Sequence, residues 1–174
     1  MSSAVSLRPG ATEYAPDYEK YVSGVPNGDI VAILEQQMND TLAFIASIPE
    51  SRGGYRYAEG KWSIKEVLGH IIDGERVFSY RALRFARNDS TELSGFEQDD
   101  YVKSGNFDKR TLGSLAKEFE HVRRATIDVF QNLESEAWSR KGLANGNEVT
   151  VRAVAFIIAG HERHHVGILR TLYS

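Results

Sequence analysis

From Val151 to Leu172 the chain places Val151, Val154, Ile158, His161, His165, Ile168 and Leu172 at alternating steps of three and four. This spacing aligns side chains along one face of an α-helix. A stripe of that kind holds a helix in water only when neighbouring elements cover it, so the segment predicts a packed helical partner for each of its turns. Two positions of the stripe are histidines. His161 and His165 lie one turn apart along the axis and about 40° apart around it, so both imidazoles can face one inward point.

Three further segments repeat the pattern. Ile30, Leu34, Met38 or Gln37, Thr41 or Leu42, Ile45 and Ile48 form a first helix, with Asn27 or Asp29 as cap and Pro49 as its end. Ser63 with Glu66 is a capping-box pair opening a second helix on Ile64, Val67, Ile71, Gly74, Phe78, Ala82 and Phe85, continuing to about Arg87. Asp108 announces a third, on Leu112, Leu115, Phe119, Val122, Thr126, Val129 and Leu133, and Thr150 caps the last. The stretch with Trp138, Gly142, Asn145, Gly146 and Asn147 reads as a loop, and no strand is expected.

The expected fold is therefore all-α: a four-helix bundle forming a single domain over residues 1–174. Residues 1–26 carry Pro9, Pro16 and Pro26 between Tyr14, Tyr18 and Tyr21, which predicts an extended N-terminal arm with one short turn, pinned by its aromatics. Asn88 to Phe107 shows little periodicity and reads as an unusually long loop, a place where function is often carried.

Composition narrows the chemistry. The chain has no cysteine, which excludes a disulfide scaffold, a thiolate metal site and a cysteine nucleophile, so any metal must rest on histidine and carboxylate. A formal charge of -3 with scattered basic residues gives no field to hold nucleic acid. No stretch approaches the roughly 20 apolar residues needed to span a bilayer, and the N-terminus shows no basic region followed by an apolar run. The expectation is a cytoplasmic protein acting on a small molecule.

His161 and His165 admit two readings: an HxxxH metal pair, or a buried polar network in which imidazoles pair with carbonyls or carboxylates. A metal pair needs a third ligand. His70 sits on the flank of the second helix's stripe, and Gly74 beside it leaves room for a bound group. His121 falls on a charged turn and reads as a surface position, and His164 falls off the stripe and reads as a surface position or as a support behind the inward histidines. Asp73, Glu97, Asp99 and Asp100 are candidate general bases, each with the alternative of a solvated carboxylate. Trp62 and Tyr101 could line a pocket, with core packing as their alternative. Arg76, Arg81 and Arg84 most simply pair with nearby carboxylates such as Glu75.

The blocks YEKYVSGVPNGDI, KWSIKEVLGHIIDGERVFSYRALRFAR, SGFEQDDYV and AGHERHHVGILR, in this order and spacing, resemble the DinB-like superfamily, the DinB/YfiT group of four-helix bundles. The resemblance covers nearly the whole chain. It implies an up-down-down-up bundle, a homodimer, and a divalent metal held by His70, His161 and His165, as in metal-dependent hydrolases and thiol-dependent transferases. Zinc and nickel suit an all-imidazole set, and iron and manganese also accept it. A low-molecular-weight thiol is the cosubstrate that the transferase reading implies. Two other functions stay open: a non-catalytic metal-binding stress-response bundle, and an apo helical bundle that mainly dimerises.

Overall fold

Asp29 starts the first long helix by accepting hydrogen bonds from the backbone N–H groups of Val31 and Ala32 at 2.9 and 3.3 Å. In the computed structural model, which describes residues 7–173, the elements are α1 (Glu19–Val22), α2 (Ile30–Ala46), α3 (Ile64–Ala86), α4 (Gln98–Gly105), α5 (Leu112–Gln131), β1 (Lys141–Ala144), β2 (Asn147–Thr150) and α6 (Val151–Leu172). The capping box at Ser63 and Glu66 is formed in full, and Thr150 accepts from the Ala153 N–H at the start of α6.

The four long helices α2, α3, α5 and α6 make the bundle, and their side-chain pairings give its direction. His70 meets His165 and Gly74 meets His161, so α3 and α6 are antiparallel. Ser63 pairs with Asp108 ahead of α5, and Glu75 pairs with Arg123 within it, so α3 and α5 are parallel. Gln37 reaches Glu162 and Phe44 reaches Arg170, making α2 and α6 parallel as well. The topology is up-down-down-up.

That topology explains the long connection after α3. Parallel neighbours leave the chain at the wrong end of the bundle, and it must travel back along the full helix length before α5 can begin. The stretch expected as one loop from Asn88 to Phe107 contains α4, followed by a one-turn 3₁₀ helix at Phe107–Lys109. Gly69 on α3 makes this close: a Cβ there would lie 2.4 Å from the Phe107 ring. The cap of α5 is Thr111 and not Asp108, whose carboxylate instead takes Ser63 and Arg56.

Two further expectations are corrected, the absence of strands and the burial of Leu172. Residues 141–150 form a β-hairpin, with Ala144 opposite Asn147 and Asn145–Gly146 as the two-residue turn, both at positive φ (51° and 73°). The hairpin packs over α3 so closely that a Cβ on Gly142 would lie 2.0 Å from the Phe85 ring. The arm, whose first six residues lie outside the described ones, carries a continuous helical stretch, a 3₁₀ turn at Pro16–Tyr18 running into α1. It is pinned to α6 by Glu13, which pairs with Arg152 and Thr150, and by Arg8, whose guanidinium lies 5.4 Å from the centre of the Phe156 ring. Leu172, assigned to the buried stripe, is exposed, and Leu169 takes its place in the core.

The core is in two parts. Leu34, Phe78, Phe85, Phe130, Phe156 and Ile157 belong to one apolar cluster, and Met38, Ile71, Leu115, Phe119, Val166 and Leu169 to another. Every long helix supplies polar residues to the layer between them: Gln37 and Thr41, His70 and Glu75, Arg123 and Thr126, and His161 with Glu162, all buried.

Gly160 marks the tightest crossing of the arm over the bundle, since a Cβ there would lie 2.0 Å from the Tyr21 carbonyl oxygen. Backbone cannot yield as a side-chain tip can. Gly160→Ala is expected to cost roughly 2–3 kcal/mol by overpacking, read as a lower urea midpoint with little change in slope.

Candidate metal centre

α3 delivers His70 and α6 delivers His161 and His165 to one point. The three Nε2 atoms converge: His161 to His70 at 2.9 Å and His70 to His165 at 3.2 Å. One ligand atom from each residue lies within 4.8 Å of the other two. Imidazoles bound at 2.0–2.1 Å to one tetrahedral or octahedral ion have nitrogens about 2.8–3.4 Å apart, so the two short separations match the edges of a coordination shell.

Hydrogen bonding alone serves the cluster poorly. A neutral imidazole has one N–H and one lone pair, so three converging Nε2 atoms cannot all be satisfied by one another. The polar-network reading needs carbonyl or carboxylate partners at these atoms, and the contacts found there are other imidazoles. The donor set therefore fits a divalent ion.

Burial sets the protonation. It pushes the His70 imidazole down to about 4, with the Asp99 charge opposing the shift. Burial, then the other basic groups His70, His164 and Lys20, takes His165 down to about 3, and burial holds His161 well below its ordinary value. All three are neutral at pH 7, the form that offers a lone pair to a metal.

Aromatic rings hold the cluster in place. Trp62 packs on His70 with centroids 4.9 Å apart, Phe78 meets His161 edge-on at 5.7 Å, and Tyr21 from the arm sits edge-on to both His161 and His164 at 5.4 Å. Gly74 makes room as expected, but for the His161 ring and not for a bound group: a Cβ there would lie 2.9 Å from His161 Cε1.

The four candidate bases separate. Asp73 turns toward α5, 4.0 Å from Arg76 and under the influence of Glu118 and Arg110, and burial raises its pKa. Glu97 is exposed at the cap position of α4 without making a cap bond, and Asp100 is exposed on the first turn of that helix. Asp99 is the carboxylate whose charge acts on His70, and with Trp62 it lines a crevice of about 300 Å³. Tyr101 is exposed and packs on Phe96. His121 and His164 are exposed, as expected. Of the arginines, Arg76 pairs with Glu118 and Arg84 with Asp89, while buried Arg81 donates to the Ser94 carbonyl.

Glu75 is no surface partner. It is buried with Arg123 and Glu162 in an ion triad that the helical pattern gave no reason to seek, because Arg123 and Glu162 each sit next to an expected stripe position, Val122 and His161. The missed signal is a charged residue beside the apolar seam on each of three helices.

An up-down-down-up bundle with a three-histidine cluster on its second and last long helices defines a class of helical proteins with imidazoles gathered inside the bundle. The chain belongs to the DinB superfamily, whose family model matches residues 33–169. Among solved structures it is similar to YfiT from Bacillus subtilis, described as a probable metal-dependent hydrolase with an unusual four-helix bundle topology. The TM-score is 0.70 at 10% identity, covering 96% of this chain and 91% of that one. It is similar to a DinB-like protein, YjoA, from the same organism (TM-score 0.62, 23% identity, 84% and 90% coverage). It also resembles the mycothiol-dependent maleylpyruvate isomerase (TM-score 0.66, 12% identity), covering 83% of this chain and 61% of that one. At these identities the likeness shows the fold alone. No curated protein matches the chain by sequence. No helix among the described residues is long and apolar enough to cross a membrane.

The pKa shifts fix a direction for acid sensitivity. Unfolded, His70 and His165 take up protons below about 6.5; folded, they do so only near 4 and 3. The unfolded chain binds more protons between those values, so stability is intact above pH about 6.5 and falls as pH drops through that window. The thermal midpoint of metal-stripped protein is expected to be lower at pH 5 than at pH 7.5, with a smaller difference in a His165→Leu variant.

Proposed function

We propose that this protein is a metal-dependent enzyme of the DinB type, in which His70, His161 and His165 hold one divalent ion and act on a small electrophilic compound by hydrolysis or by transfer of a low-molecular-weight thiol. The observation that carries this reading is the convergence of three neutral Nε2 atoms, those of buried His70 and His161 and of half-buried His165, with short separations of 2.9 and 3.2 Å. Zinc or nickel suits the all-nitrogen set, with iron or manganese as further possibilities. A divalent ion at such a site supplies Lewis-acid chemistry: it polarises a substrate oxygen and lowers the pKa of a water or a thiol.

The surrounding residues support an open site over a sealed structural one. Three protein ligands leave at least one position free, which is the pattern of catalytic sites. His165 is partly exposed, and Trp62, which packs on His70, also lines the crevice that Asp99 borders. In this reading Asp99, whose charge acts on His70, is the proton acceptor, and Trp62 covers one face of His70. The thiol and the homodimer belong to this proposal through the family resemblance, and a cytoplasmic setting is proposed with them.

Elemental analysis of untagged protein tests the site. About one zinc or nickel ion per chain is expected for the unaltered protein, with loss in His70→Ala and in the double variant His161→Ala, His165→Ala. Protein that stays metal-free after incubation with either ion, while its helical content is intact, would sink the reading.

A further inference from the structure

Arg123 lies on α5, which supplies no histidine, yet its guanidinium is fully buried and forks between the two helices that do. Its Nε and Nη2 donate to Glu75 Oε1 and Oε2 on α3 at 2.7 and 2.8 Å, and Nη2 lies 2.7 Å from Glu162 Oε2 on α6. Nη1 donates to the Leu34 carbonyl of α2 at 3.1 Å. One side chain thus holds all four long helices. On α2, Gln37 Nε2 and Thr41 Oγ1 each donate to Glu162 at 2.7 Å.

The level at which this happens is that of the histidines. Glu162 directly follows His161, and Glu75 directly follows Gly74, the residue against which the His161 ring rests. Apolar faces resist separation but not sliding, because their attraction has no direction. A planar fork of charged hydrogen bonds has both direction and spacing, and losing it strands buried charge. Stability alone is a weak reason for such a triad, since apolar side chains of similar volume often serve as well.

We infer that Arg123 is a positioning residue: through Glu75 and Glu162 it fixes the axial register of α3 against α6, and with it the spacing of His70 from His161 and His165. The consequence for metal binding rests on the function proposed above, whereas the register itself does not. Ligand nitrogens must be held within about 0.5 Å to serve one ion, so a small slide is enough to weaken the site.

The absence of cysteine allows a direct test in the full-length chain. Cysteines placed at Tyr80 on α3 and Thr171 on α6, both exposed, take spin labels, and electron double resonance reads the distance between them without metal. Three backgrounds are compared, each checked for helical content. Arg123→Lys keeps the charge and loses the fork. Glu75→Leu with Arg123→Met and Glu162→Leu replaces the triad with apolar bulk. Phe130→Leu, in the apolar cluster beyond the polar layer, lowers stability and leaves the triad alone.

The distance distribution is expected to shift or broaden in both Arg123 backgrounds, and zinc affinity by calorimetry to fall at least about tenfold. Phe130→Leu should keep the narrow distribution and the affinity even where its thermal midpoint falls as far. A narrow, unshifted distribution in folded Arg123→Lys overturns the proposal, and so does equal broadening in Phe130→Leu. Should the triple variant fail to fold, the comparison of these two decides. If the distances change as expected while the unaltered protein binds neither zinc nor nickel, the register role stands and the metal reading fails.

Discussion

A buried polar layer crosses this bundle between two apolar clusters, and the arrangement of the helices depends on it. Burying Glu75, Arg123 and Glu162 together is costly unless each charge is met and each remaining hydrogen-bonding position filled. The four helices meet that condition jointly: α3 and α6 bring the carboxylates, α5 the guanidinium, and α2 an amide, a hydroxyl and a backbone carbonyl. The two acids keep the Arg123 pKa above its ordinary value although burial opposes the charge. Among the described residues, Gln37 Oε1 is the one buried side-chain atom left without a partner. So dense a network tolerates few alternative packings, which is how a polar layer selects one arrangement from the many that apolar stripes allow.

The histidine cluster shares this layer and has the opposite electrostatics. The triad is charged and saturated with partners, whereas the imidazoles are neutral and meet one another through their Nε2 atoms. Burial disfavours charge at both: it removes the proton from the imidazoles, where only the Asp99 charge on His70 opposes it, whereas at Arg123 two flanking carboxylates outweigh it. The result is a rigid, charged support beside a set of neutral nitrogens, the pairing a divalent cation requires of its ligands and their surroundings.

Topology imposes a second constraint. With α3 parallel to α5, the chain must return along the bundle, and α4 with its flanking turns is that return path. The same path carries Asp99 past Trp62 and His70, so the segment that solves a connection problem also forms one wall of the crevice beside the cluster. The arm closes the opposite side with Tyr21, and the tight contact of its backbone with Gly160 holds that ring against His161.

How much of this was legible in advance follows from what a periodic pattern can encode. Steps of three and four specify which residues face inward, and they located α2, α3, α5 and α6, the caps at Asp29, Ser63 and Thr150, and the inward placement of His161 and His165, because these are properties of single helices. The pattern says nothing of what lies opposite a position. That His70 completes the cluster, that Gly74 makes room for His161, that Glu75 is a core residue paired with Arg123, and that Asp99 and not Asp73 accompanies His70 are relations between helices, decided only when the helices pack. The hairpin at Asn145–Gly146 carried a local turn signal, but its strands lack apolar alternation and are held by Phe85 and by Leu93, whose N–H donates to the Leu143 carbonyl at 2.9 Å. The sequence by itself determined the helices and their inward faces, since backbone and side-chain periodicity are local. Only the tertiary structure decided which faces meet, since a histidine cluster and a shared charge triad exist only where residues distant in the chain come within a few ångströms.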